Sequence, residues 1–139
     1  MTVRKVAALL VAGALAYAGT AFAHHSFSAE FDAAKPMKLT GIVTKVEWTN
    51  PHVWFYINVK DAATGQVSNW GAEMGPPHGL QRSGWRRETL KIGEQVTVDG
   101  FLARNGANRV NARSVTLTAT GGRPGQTLDA NSSSSGSNQ

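Results

Sequence analysis

The chain has 139 residues and a formal net charge of +5, with 41% hydrophobic and 17% charged residues and no cysteine. This length suits one domain rather than several. The missing thiols exclude a disulfide framework and a thiolate metal site, so the fold must stand on its hydrophobic core.

The amino terminus carries an address. Arg4 and Lys5 precede an uncharged apolar run from Val6 to Ala18, and Ala21-Phe22-Ala23 follows with small residues at both recognition positions. This is the order of a secretory signal peptide, residues 1–23. The apolar run falls short of the roughly 20 residues a bilayer span requires, so no span is expected after cleavage. The mature chain would begin at His24, with 12 Lys and Arg against 9 Asp and Glu, a net +3. That charge is too small to suggest nucleic acid.

Residues 24–37 read as a short lead-in, with Phe27 and Phe31 to pin it and Pro36 to end it. The domain proper is expected over 38–119. Its first strand has apolar parity at Leu39, Gly41 and Val43, then switches phase to Val46 and Trp48. A phase switch beside a glycine predicts a bend or bulge. Asn50-Pro51 forms a corner, because proline fixes its own φ and moves the preceding residue out of helix.

The second strand, His52 to Lys60, alternates cleanly. Val53, Phe55, Ile57 and Val59 share a core face, and His52, Trp54, Tyr56, Asn58 and Lys60 share the other. Asp61 to Gly65 is a hairpin turn, and a third strand follows from Gln66 to Glu73. Gly75-Pro76-Pro77 stops it, and His78 to Gly84 reads as a short helix or turn, with Trp85 behind it as a plug. Strands four and five run from Gln95 to Ala103 and from Arg109 to Thr118, joined by an Asn105-Gly106 turn. Residues 120–139 are dominated by Gly, Ser and Asn and are expected to be disordered. Three strands, a helical connector and two more strands predict an all-β fold, a small five-stranded OB-like barrel. An open five-stranded sandwich is the alternative.

The segments HHSFSAEFD, LTGIVTKVEWTNPHVWFYINVKD, NWGAE, TLKIGEQVTVDG and VNARSVTL resemble a family of small exported bacterial proteins with no assigned function. The resemblance covers nearly all of the mature domain and stops before the tail. It implies the bacterial OB type of fold and a periplasmic location. In that family an Asn often stands at the position of His78, which argues against a role for His78.

Two sites are candidates. After cleavage, His24 would offer an amino group and an imidazole to one ion, and His25 or His52 would supply a third nitrogen. Nitrogen-only donor sets suit Cu(II), so copper is the expected cofactor if a metal is bound. The opposing reading is a solvated terminus and a turn histidine. The second candidate is the ring-bearing face of the second strand: Trp54 and Tyr56, joined by Trp48 or Trp70, with Arg82, Arg86, Arg87 and Lys91 to steer an anionic ligand. Rings usually mark buried surface, so the favoured reading is that Trp54 and Tyr56 pack under the lead-in through Phe27 or Phe31, with the arginines a solvated connector. This face would take a protein or another envelope component as partner. Enzymatic activity is not expected. Glu47, Glu73 and Asp99 have no evident opposing partners, Ser26 beside two histidines is mere adjacency, and none of the familiar catalytic motifs occurs.

Overall fold

The computed structural model describes residues 27–119 and 122–131. The expected signal peptide, His24 and His25 lie outside these residues. Residues 27–30 are helical and belong to a first unit, which ends at Glu30; the sheet belongs to a second unit that begins at Phe31. Among the described residues no helix is long and apolar enough to cross a membrane.

Among the described residues the second unit has six strands and one short helix: β1 (Phe31–Glu47), β2 (Trp54–Lys60), β3 (Val67–Glu73), α1 (Pro77–Arg82), β4 (Gln95–Ala103), β5 (Arg109–Leu117) and β6 (Gln126–Asp129). They form one sheet in the order β3-β2-β1-β4-β5-β6, with an additional β3–β5 pairing. The expected five-stranded OB-like barrel is therefore corrected, and so is the five-stranded sandwich. The β3–β5 contact is parallel and only three residue pairs long, Gly71↔Arg109, Ala72↔Val110 and Glu73↔Asn111. It makes the arrangement ring-like without making it a barrel, because the second half of the same β5 edge, Ser114 to Leu117, pairs with β6 instead.

Two other expectations change. β1 begins at Phe31 rather than Lys38, since Phe31, Pro36 and Met37 already pair with β4 at Ala103, Phe101 and Gly100. Much of the presumed lead-in is therefore strand. The segment expected to be disordered supplies β6. Its residues are mostly exposed, but three contacts hold it. Ala130 is fully buried, Leu128 packs on the core, and the Trp85 indole Nε1–H donates to the Asp129 carbonyl at 2.7 Å. Composition alone misses such a strand because its stabilisation comes from distant partners.

The phase switch in β1 has a direct structural counterpart. Val43 faces Ile57 and Lys45 faces Tyr56, which leaves Thr44 bulged between them. Gly41 permits the close approach there, since a Cβ would lie 2.5 Å from the Asn58 carbonyl oxygen. The core is built from the alternating faces: Val43 of β1, Phe55 and Ile57 of β2, Val96 and Val98 of β4, and Val110, Val115 and Leu117 of β5. Leu80 of α1 and Trp85 close one side of it and are fully buried. Each such aliphatic or aromatic side chain contributes about 1.5–3 kcal/mol on burial.

The sixth strand makes a stability prediction. A chain ending at Asn131 keeps β6 whole and sets the reference midpoint in urea. One ending at Ala119 loses the β5–β6 hydrogen bonds, the burial of Leu128 and Ala130, and the acceptor for Trp85. It should lose about 3–5 kcal/mol. Equal midpoints for both truncations would show that β6 adds nothing to the fold.

Candidate functional site

The outward face of β2 is assembled from four strands. Antiparallel register sets Trp54 between Glu47 of β1 and Glu73 of β3, and Tyr56 between Lys45 and Gly71. Parallel pairing then adds Arg109 and Asn111 of β5 beside Gly71 and Glu73. Because side chains alternate across a strand, these residues share the surface opposite Phe55 and Ile57.

His52 stands at the edge of this face, directly after the Asn50–Pro51 corner, whose peptide bond is cis. Its Nδ1 lies 2.5 Å from Glu73 Oε1. A carboxylate only accepts, so Nδ1–H is the donor and Nε2 is the ring nitrogen outside this contact. The Glu73 side chain is 10% exposed while that of His52 is 46% exposed, so a buried anchor holds a solvent-reachable imidazole. No hydrogen bond engages Nε2 among the described residues. Glu73 was visible in the sequence but without a partner; the hairpin register brings it to His52.

A second cluster surrounds Tyr56. Its hydroxyl donates to Glu47 Oε2 at 3.2 Å, the Lys45 ammonium pairs with the Glu47 carboxylate, and the same ammonium lies 5.3 Å from the Tyr56 ring centroid. The hydrogen bond from Lys45 holds the Glu47 carboxyl below its usual range, and the Glu47 carboxylate in turn raises Lys45. Burial is the first cause that pushes the Tyr56 phenol up, followed by its hydrogen bond to Glu47; Arg109 and Lys45 oppose the shift. Arg109 is a neighbour that sequence reading misses, because the β3–β5 pairing joins segments far apart in the chain.

The rings themselves are half-buried, and Gly71 explains how. A Cβ at Gly71 would meet Tyr56 Cε1 at 3.3 Å and Trp54 Cζ3 at 3.5 Å, so both rings lean over the bare β3 backbone. They cover Gly71 and keep their remaining surface outward. Trp48 does not join them: it is 8% exposed and belongs to the core. Trp70 also packs against the core, with its Nε1–H donating to Ser68 Oγ at 3.0 Å.

The basic connector is not brought to this face by any hydrogen bond or ion pair among the described residues. Arg86 instead donates to the carbonyls of Gln81 and Trp85 at 3.2 and 2.8 Å and so secures its own turn. Arg82, Arg87 and Lys91 are exposed, as is His78 on α1. Among the described residues no group of three His, Cys, Asp or Glu is placed to hold a metal ion. His52 with Glu73 makes a pair, and the two amino-terminal histidines expected to complete a set lie outside the described residues.

The phenol gives a spectroscopic test. A chain starting at His24 keeps Tyr56 as its one tyrosine, since the other is Tyr17. Phenolate absorbance should then titrate at higher pH in the folded protein than in denaturant, and Glu47→Gln should narrow the gap. A raised acid means the fold favours the neutral phenol. That stabilisation is whole below the unfolded value and is lost as pH rises through the folded one. Identical native and denatured midpoints would contradict the Glu47–Tyr56 contact.

A comparison with protein families matches residues 12–112 to the family of unknown function DUF6152. No curated protein matches the chain. The matched span includes β1 to β4 and the whole His52–Glu73–Tyr56 face. With most of its length matched in this way, the chain belongs to the DUF6152 family.

Proposed function

We propose that this chain is a non-enzymatic binding module, exported to the periplasm by its signal peptide, whose ligand is a copper ion. The ion is held by the amino group and imidazole of His24 after cleavage, with His25 or His52 supplying a further imidazole. The observation that carries this reading is the His52–Glu73 contact. Histidines that ligate metals typically donate their other ring N–H to a carboxylate, which fixes the tautomer and makes the remaining nitrogen a better donor. At His52 the carboxylate is buried, the ring is half-exposed, and Nε2 is the nitrogen left for a ligand. An all-nitrogen set favours Cu(II) over harder cations.

A second reading rests on a different observation. Trp54 and Tyr56 lean over Gly71 but remain half-exposed, flanked by the Lys45–Glu47 pair. In that reading the face docks a protein or another envelope component without a metal. Ring surface flanked by one cation and one anion suits a partner that is partly apolar and carries charges of both signs.

Cu(II) titration separates the two. A protein whose first residue is His24 should bind Cu(II) at least about 100-fold more tightly than the same protein with one extra amino-terminal Met, which removes the chelating amine. Glu73→Gln should weaken binding about 10–100-fold by releasing the His52 ring. Affinity should fall as pH drops from neutrality toward about 5, because the amine and the imidazoles bind metal only when deprotonated. Equal binding with and without the added Met would remove the amino-terminal copper site. Binding that survives His52→Ala unchanged would remove His52 from it.

A further inference from the structure

Part of one strand edge in this sheet is open. β3 pairs with β2 along its whole length, but on its other side β5 takes only Gly71, Ala72 and Glu73. From Gln66 to Trp70 that side has no strand beside it among the described residues. Three hydrogen bonds fix which backbone groups point out there. Asp61 N–H donates to the Gln66 carbonyl and Met74 N–H to the Val53 carbonyl, each at 2.8 Å, so Gln66, Ser68 and Trp70 turn their groups toward β2. Gly71 turns the other way and donates to the Asn108 carbonyl at 3.0 Å. By the same alternation Val67 and Asn69 each present an N–H and a C=O to the open side, and Val67 is 59% exposed.

Other open edges of the sheet are guarded. The β2-side edge of β1 ahead of Ile42 carries Lys35, Pro36 and Lys38, and β6 ends in Asp129. Charge and proline are what keep an edge from recruiting a strand. The stretch from Gln66 to Trp70 has no charge, no proline and no bulge. Symmetry and length name its occupant. The stretch is bounded by the turn at Gly65 and by β5 at Gly71, so its centre is Ser68. A second copy laid antiparallel, with the two Ser68 residues opposite each other, sets Val67 against Asn69 of the second copy and Asn69 against Val67 of the second copy. All four outward groups on each copy then meet in four hydrogen bonds. Trp70 meets Gln66 of the second copy, whose chain turns back toward its own β2 at Gly65 before it would reach β5. Charge permits this pairing. Lys60 lies one strand back, opposite Val67, and the second copy adds only the neutral Asn69 and Asn58 to its row. Five residues a side is well short of the roughly 20–30 a side of a stable interface, so the pair forms and parts with concentration.

We propose that the open edge of β3 is a self-association site, at which two copies of this chain join their sheets about Ser68. It is independent of the copper reading, which uses none of these residues. The test is analytical ultracentrifugation of the chain starting at His24, between about 10 µM and 1 mM at low salt, with EDTA present so that no metal bridges two copies. The mean mass should rise with concentration, and the amides of Val67 and Asn69 should shift with it while those of His52 and Trp54 stay unmoved. Ser68→Lys and Ser68→Asp should each weaken association at least about tenfold, because the central pair brings its side chains closest and would oppose like charges. An equal mixture of the two variants should recover the lost association, since the opposed charges then attract. A chain monomeric throughout would leave the edge to a strand of another protein and overturn the proposal. Concentration-dependent shifts confined to other strands, or a mixture that associates no better than either variant alone, would overturn it equally.

Discussion

Strand β5 is shared by three others, and the architecture depends on how its two edges are divided. One edge is given to β4 along most of its length. The other is split, with Arg109 to Asn111 taken by β3 in parallel and Ser114 to Leu117 taken by β6 antiparallel. A strand has only two hydrogen-bonding edges, so the sheet can neither close fully on β3 nor stay fully open. A bulge at Arg113 falls between the two halves and lets the strand turn from one partner to the other. The outward face of β2 gains Arg109 and Asn111 from the first half, and the second half is covered by β6.

Local pattern made part of this legible. The period-two alternation names the core face here: Val53, Phe55 and Ile57 are fully buried, and Val59 packs against the core while partly exposed. The phase switch after Val43 marks the Thr44 bulge, because a pleated strand can change parity only by inserting a residue. Gly41 marks the close approach that goes with it. What local pattern does not carry is partnership. β6 is four residues of modest propensity, Gln-Thr-Leu-Asp, and is held by an indole 44 positions earlier in the chain. The same limit applies to β1, whose early residues Phe31 and Pro36 pair with the far end of β4.

The candidate site divides in the same way. The ring-bearing face of β2 and the exposed imidazole of His52 follow from alternation and from the Asn-Pro corner. The anchor under His52 and the bare backbone under the rings do not, because Glu73 and Gly71 reach them through hairpin register. Trp48 shows the cost of reasoning from residue type alone. An indole beside a corner suggests a ligand platform, yet its parity after the bulge turns it into the core.

The shortness of β6 has a consequence for how the protein behaves in a crowded compartment. Without it, Ser114-Val115-Thr116-Leu117 would present a bare, β-branched edge, the kind of template on which unrelated chains add strands and begin to aggregate. The four residues that cover it end in a carboxylate at Asp129, and the chain then turns inward at the buried Ala130. A short edge strand tipped with charge is a poor template in its turn. The last described segment of the chain thus acts as a guard for the edge it covers.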